Sequence, residues 1–485
     1  MSTQILLFFL FILSNVHAAS HFNFDCVQND SLKTNFYHRL ASNPASFKQA
    51  LDSLEQIHDK LYNQHHVKEV REAYKEVLEL QQDFLDYESM LFDTLFYPMV
   101  NRVLDELKAA NSETQLYNHV LISKSRIPNA YCFGNGIIVI NLGMISLLQN
   151  EDQLAALLAH EFAHHQLKHM EEGILHKKEY DSNKETKKKL RKISRSEYEQ
   201  MARLEQFQLE SAMNQRTMQR SLETQADSMA AFLLSNSNYE LSSIIELLEI
   251  LDRCDGGKYQ IKLNYSELFS QADYVFEKNL LLNSQGMELK EIEDTALINA
   301  LKTHPDCKQR IDFVQSDFAI KSRDTVQIEQ NFIQLGLISD YELLFQDIEN
   351  RRYALCILHS LQLKNAVRNE PFLDVFIANC LAEIYFAQKD HMLWNYLPLP
   401  REEFPINYHQ LLVIIENIRL SELKKLSLAY ISQVIQSTKE QLNDDQGYLT
   451  YLELQQKCIK ENRLPQKEEL DQFKEQYPLN SFINY

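Results

Sequence analysis

Between Gly336 and Gly447 the chain runs without a glycine, and all 485 residues hold only nine glycines and ten prolines. Tight turns draw on those two residues, so a fold dense in hairpins is short of the chemistry it needs. Apolar residues instead recur at three- and four-residue spacing through most of the chain. In "LSELKKLSLAYISQVI", Leu423, Leu426, Tyr430 and Val434 fall on one stripe, the pattern of a helix with one buried face. The expected fold is mainly α, with a small β-sheet where this periodicity lapses.

The length leaves room for two or three domains, as a prior on domain size suggests. Hydrophobic residues at 45% and charged residues at 24% read as a globular chain. The formal net charge of -19 argues against a general nucleic-acid binder, because phosphate contact needs a basic face. "ILLFFLFIL", Ile5 to Leu13, is uninterruptedly apolar and is followed by Val16-His17-Ala18. That run is well short of the ~20 residues of a spanning helix and reads as a signal peptide over 1–18. An uncleaved anchor is the alternative. No other stretch is apolar enough to cross a bilayer, so the mature chain is expected to be exported without a transmembrane helix. Seven widely spaced cysteines with no CxxC are neither a disulfide scaffold nor a metal motif, and most read as free buried thiols.

Residues 19–115 read as helices, including 69–107 as a long helical pattern. Residues 118–142 change character: "HVLISKS" and "IIVINL" are β-branched, with "CFGNG" before the second, which predicts a small sheet. A helix follows from Asn150 as N-cap, with Glu151 and Asp152 in its first turn, Gln153 completing a capping-box-like pattern and Gly173 as its stop. Residues 177–195 carry nine Lys or Arg against three acids. Such a run reads as a solvated helix face or loop, with contact to an acidic partner or a membrane surface as the alternative. A second apolar helix is expected from Arg220 to Leu234. These readings divide the chain into 1–18, a core domain over 19–320 with its centre in 116–320, and a helical domain over 321–485. A degenerate tetratricopeptide-like repeat fits the helix spacing of the last part.

The chemistry lies in "LLAHEFAHHQLKH". His160 and His164 are four apart on the expected helix, about 40° round from each other, so both rings leave one face. They can bind one zinc ion through neutral nitrogens. Glu161 lies about 100° round from His160, at the edge of that face, where it can take a proton from a water without ligating the metal. His165 and His169 lie about 140° and 180° round on a straight helix and read as surface or packing residues. The apolar setting raises the weight of the motif, since unpaired polar groups are costly to bury. A catalytic zinc needs a third protein ligand, and Glu223 in "LETQAD" is the candidate. Asp227, four residues on, would either orient a ligand histidine or donate a proton to the leaving amine.

Taken with "NAYCFGNGIIVINLGMI" and "THPDCKQRI", these blocks resemble, in order, the prenyl-protease/HtpX clan of zinc metallopeptidases. The closest likeness is to its BepA-like, Oma-type members of the bacterial periplasm, over Asn129 to Ile311. The resemblance implies a zincin-type core with one Zn2+ per chain, His160, His164 and Glu223 as ligands, and Glu161 as catalytic base. It implies Asp227 as proton donor or ligand support, and His304 as a histidine able to approach the metal and hold the enzyme inactive. It further implies an edge strand in "CFGNGIIVI" that takes substrate by β-addition, and a helical-repeat C-terminus. The expected function is cleavage of misfolded or stalled cell-envelope proteins in quality control, with envelope or outer-membrane assembly partners held by the C-terminal helices. The rival reading is a latent enzyme or chaperone-like scaffold acting through those helices.

Overall fold

The computed structural model describes residues 67–73, 75, 90–91, 95–112, 119–133, 136–194, 219–254, 258, 261–270, 274–282, 286–289, 307–321, 323, 326–366, 371–400, 404–438 and 446–477. The expected signal peptide, most of the N-terminal helices and Thr303-His304-Pro305 lie outside them. Two compact units emerge. One holds the described residues up to 254 and from 307 to 339; the other holds those from 258 to 289 and from 340 onward.

The first unit is built on a four-stranded sheet: β1 (Met90–Leu91), β2 (His119–Ser123), β3 (Ala130–Cys132) and β4 (Ile137–Asn141), in the order β1-β2-β4-β3. β2 and β4 run parallel, with Val120 opposite Ile138. Every residue of β4 is buried, the near-continuous apolar run of a strand covered on both faces. The sheet therefore forms where the sequence lost its helical period. β1 corrects the expectation that 19–115 is helical throughout: Met90 and Leu91 pair antiparallel with Ser123 and Ile122. α1 (Tyr97–Ala110) then starts with a proline in its first turn and buries Val100, Val103, Leu104 and Leu107, an i, i+3, i+4, i+7 stripe.

α2 (Glu151–Gln166) is buried on all sides from Gln153 to Ala163. It packs on α1, on β3 and β4, and on a later helix, Ser243–Arg253. Its N-terminus is tied down twice. The Asn150 side chain takes the Gln153 N–H at 2.9 Å, and the Gln153 side chain takes the Gln149 N–H at 2.8 Å. Asn150 Nδ2 also donates to the Gln327 carbonyl at 2.8 Å, and the Glu329 N–H donates to the Gln149 carbonyl at 2.9 Å. Residues 327–329 are thus held on the first unit, and that unit continues past residue 320. Just before α2, Gly143 is forced by close approach: a Cβ there would stand 2.0 Å from the Arg126 carbonyl oxygen.

α2 does not run to Gly173. It stops at Gln166, Lys168 takes a left-handed conformation with φ 57° and ψ 37°, and α3 (His169–Ser182) begins at once with Gly173 inside it. Left-handed backbone ends a helix wherever it falls. α4 (Lys184–Ser194) carries most of the basic run, with its lysines and arginine exposed. α5 (219–235), α6 (Ser243–Arg253) and α7 (Cys307–Phe318) complete the surroundings of the site.

α8 (Gln330–Glu349) leads into the second unit, which comprises α9 (Tyr353–Ala366), α10 (Pro371–Lys389), α11 (Ile406–Asn417), α12 (Leu420–Thr438), α13 (Gln446–Lys460) and α14 (Lys467–Gln476). α10 packs against α9, α12 and α13. Leu423, Leu426, Tyr430 and Val434 are all buried, as their stripe required. Cys254, Cys307, Cys356, Cys380 and Cys458 are buried free thiols, and Cys132 is a half-buried one. Among the described residues no helix is long and apolar enough to cross a membrane. The described residues are mostly helical with one small sheet.

Candidate metal centre and active site

His160 and His164 leave α2 on the same face, and their Nε2 atoms lie 3.1 Å apart. Glu223, on α5, closes a triangle with them. Its Oε2 lies 3.4 Å from His160 Nε2 and its Oε1 lies 3.6 Å from His164 Nε2. Among the described residues, this is the one group of three His, Cys, Asp or Glu side chains whose ligand atoms converge closely enough to hold a metal ion. A tetrahedral site with bonds of about 2.0–2.1 Å spaces its ligand atoms about 3.3 Å apart. The three separations bracket that value. The donor set, two imidazoles and one carboxylate, leaves a fourth position for water or substrate.

The reason α5 presents Glu223 here is local. Ala226, Ala230, Leu233 and Leu234 are buried, so the helix turns one stripe inward. Glu223 and Asp227, one turn apart, sit at the end of that stripe next to α2. Asn111, just past α1, fixes the other end through Nδ2 to the Leu233 carbonyl at 3.0 Å.

Behind the triangle is a charged layer. Asp227 Oδ1 lies 3.1 Å from His160 Nδ1. Arg310, from α7, grips Asp227 with two bonds of 2.7 Å and reaches Glu223 Oε2 at 2.8 Å. Asp227 and Arg310 are both buried, so neither charge could stand there alone. Burial opposes ionisation of Asp227 and Glu223, but Arg310 outweighs it and holds both carboxyls below their usual range. Burial likewise opposes a charge on His160, yet its two carboxylate neighbours raise it to about 10 in the metal-free chain. His164, half-buried and next to His160, is lowered to about 3 and stays neutral.

Glu161 points elsewhere. It is buried, and burial pushes it up to about 7, against the pull of His160 and a hydrogen bond from the Cys132 backbone N–H. Cys132 lies on β3, the outer strand beside β4. This corrects the edge expected in "CFGNGIIVI": of its described residues only Cys132 lies on the outer strand, whereas Ile137–Ile140 lie inside the sheet, between β2 and β3. A carboxylate near 7 at the rim of a metal site is poised for proton transfer at neutral pH.

The structure thus brings five of the six sequence-derived site residues into one cluster: His160, Glu161, His164, Glu223 and Asp227. His304, the sixth, lies outside the described residues. Two partners were not legible in the chain. Arg310 stood only in a block carried by resemblance, with no charge assigned to it. His169, expected on the far side of a straight helix, is instead 5% exposed, with Nδ1 2.9 Å from His164 Nδ1.

A converging set of two histidines and a glutamate, with a carboxylate at its edge and an outer strand alongside, is the arrangement that a metallopeptidase requires. Comparison with known proteins agrees. Residues 98–317 match the family model of peptidase family M48, which spans every described residue of the cluster. The chain is also 26% identical over 186 residues to the mitochondrial metalloendopeptidase OMA1 of Schizosaccharomyces pombe, covering 38% of this chain and 52% of that protein. The match spans about half the length of that relative. Over residues 98–317 the chain thus resembles an M48-type metallopeptidase domain.

Proposed function

We propose that this protein is a zinc-dependent endopeptidase with His160, His164 and Glu223 as metal ligands and Glu161 as general base. The observation that carries it is the convergence of the two Nε2 atoms, 3.1 Å apart, on the Glu223 carboxylate, whose Oε2 and Oε1 lie 3.4 Å from His160 and 3.6 Å from His164, with Glu161 buried beside them. Zinc bound there would supply Lewis acidity, acidifying water and polarising the scissile carbonyl. The chain's own residues do the rest. Glu161 accepts the proton from the attacking water at its carboxylate and returns it to the departing amine. Asp227, already engaged by Arg310, accepts the Nδ1–H of His160 and so keeps its Nε2 free as a ligand. In this reading Asp227 acts by orienting a ligand, with Glu161 as the proton carrier. The outer strand β3 offers backbone groups that an extended substrate can pair with, which would give cleavage of low sequence selectivity.

Misfolded or stalled proteins of the cell envelope are the proposed substrates, in an exported chain whose C-terminal helices form a repeat-like docking domain. That reading is supported by the apolar N-terminal run and by the resemblance of the sequence blocks. The test is cleavage of unfolded casein by zinc-loaded wild type and Glu161→Gln. Wild-type activity lost by about 10²–10⁴-fold in Glu161→Gln, with zinc content unchanged, is the expected result. Wild type without bound zinc refutes the centre. Zinc retained without cleavage by wild type moves the function to the scaffold role.

A further inference from the structure

Each ligand histidine turns Nε2 toward Glu223 and leaves Nδ1 behind it. Behind His160 the partner of Nδ1 is Asp227, at 3.1 Å. Behind His164 it is a second imidazole: His169 Nδ1, at 2.9 Å. Two ring nitrogens at that distance share one proton, and one of them must be the acceptor. Were His169 the donor, the proton of a neutral His164 would sit on Nε2. That atom lies 3.1 Å from His160 Nε2 and 3.6 Å from Glu223 Oε1, where a metal needs a lone pair. With metal bound, the shared proton therefore belongs to His164 and the lone pair to His169.

We propose that His169 is a positioning residue of the metal centre, its Nδ1 accepting the Nδ1–H of His164 and locking that ring in the tautomer that presents Nε2. The inference rests on the metal-centre reading above. The turn at Lys168 is what makes it possible. Continued as a straight helix, α2 would place residue 169 about 180° from residue 160. The left-handed Lys168 instead restarts the chain as α3, and His169 folds back onto the site with its ring buried. The other ring nitrogen, His169 Nε2, is buried without a hydrogen-bond partner among the described residues. The two ligands are then supported differently: His160 by an anion, His164 by a neutral ring. A neutral acceptor fixes orientation without adding a further carboxylate to a cluster that already holds Glu161, Glu223 and Asp227.

The test uses the full chain and reads zinc affinity by chelator competition, with the visible spectrum of the cobalt-loaded form as a second signal. Wild type, His169→Ala and His169→Asn are compared, together with the melting of each metal-free form. The Asn oxygen stands as many bonds from Cβ as Nδ1 does, so it can accept the same hydrogen bond. His169→Ala is expected to bind zinc about 10–100-fold more weakly and to shift the cobalt bands. His169→Asn is expected to recover most of that affinity and the wild-type bands. Wild-type affinity in His169→Ala would overturn the proposal. So would an equal loss in both variants, which would mean that packing and not the acceptor matters. If wild type itself binds no zinc, the metal centre falls and this inference with it.

Discussion

Replacing Arg310 with methionine removes the positive charge from the layer behind the ligands while keeping a long apolar stem. In the wild-type chain its guanidinium makes two bonds of 2.7 Å to Asp227 and one of 2.8 Å to Glu223. Asp227 is 1% exposed, so the variant leaves a buried carboxylate facing a second one, with only His160 between them. Breaking one partner out of a buried pair costs about 3–5 kcal/mol. For a unit of this size that is a fall in Tm of roughly 6–20 °C. The fall should be largest in the metal-free chain, because a bound dication restores positive charge to the same carboxylates. Both carboxyls have folded pKa values below their unfolded ones. Their contribution is therefore present above the ordinary carboxylate range and lost as pH falls through the lowered values. Accordingly, the gap between wild type and variant should be full at pH 7 and shrink in acid. Thermal melts in EDTA and in excess zinc, at pH 7 and pH 4, measure all of this. A variant melting within about 2 °C of wild type in EDTA at pH 7 would refute the view that Arg310 offsets the buried carboxylates.

Two further outcomes follow from the same fold. Gly143→Ala forces a methyl against the Arg126 carbonyl and should cost about 1–3 kcal/mol in a thermal or urea melt; an unchanged melt would show that the Arg126–Gly143 contact yields freely. Metal uptake at neutral pH should displace about one proton, because His160 is held protonated in the metal-free chain while His164 is already neutral. Calorimetry in two buffers of different ionisation enthalpy reads that proton, and a buffer-independent heat would contradict it.

What the sequence by itself determined was local. Four-residue spacing on an apolar helix is enough to put His160 and His164 on one face, because helical geometry depends on neighbours in the chain. The same holds for the stripes of α1 and α12, and for Glu223 and Asp227 one turn apart on α5. The scarcity of glycine set the helical class, and the β-branched run at 137–140 set the place of the sheet.

What only the tertiary structure decided was pairing across distance. Met90 and Leu91 sit in a helical pattern and become a strand because Ser123 and Ile122 offer them an edge. Arg310 gains its meaning from two carboxylates more than eighty residues earlier. His169 faces the ligand histidine because a lysine, which carries no turn signal, adopts a left-handed backbone at 168. Such a conformation costs an L-residue roughly 1–2 kcal/mol, so it persists where packing around the turn outweighs that cost. No spacing rule within the chain could have placed that ring behind His164.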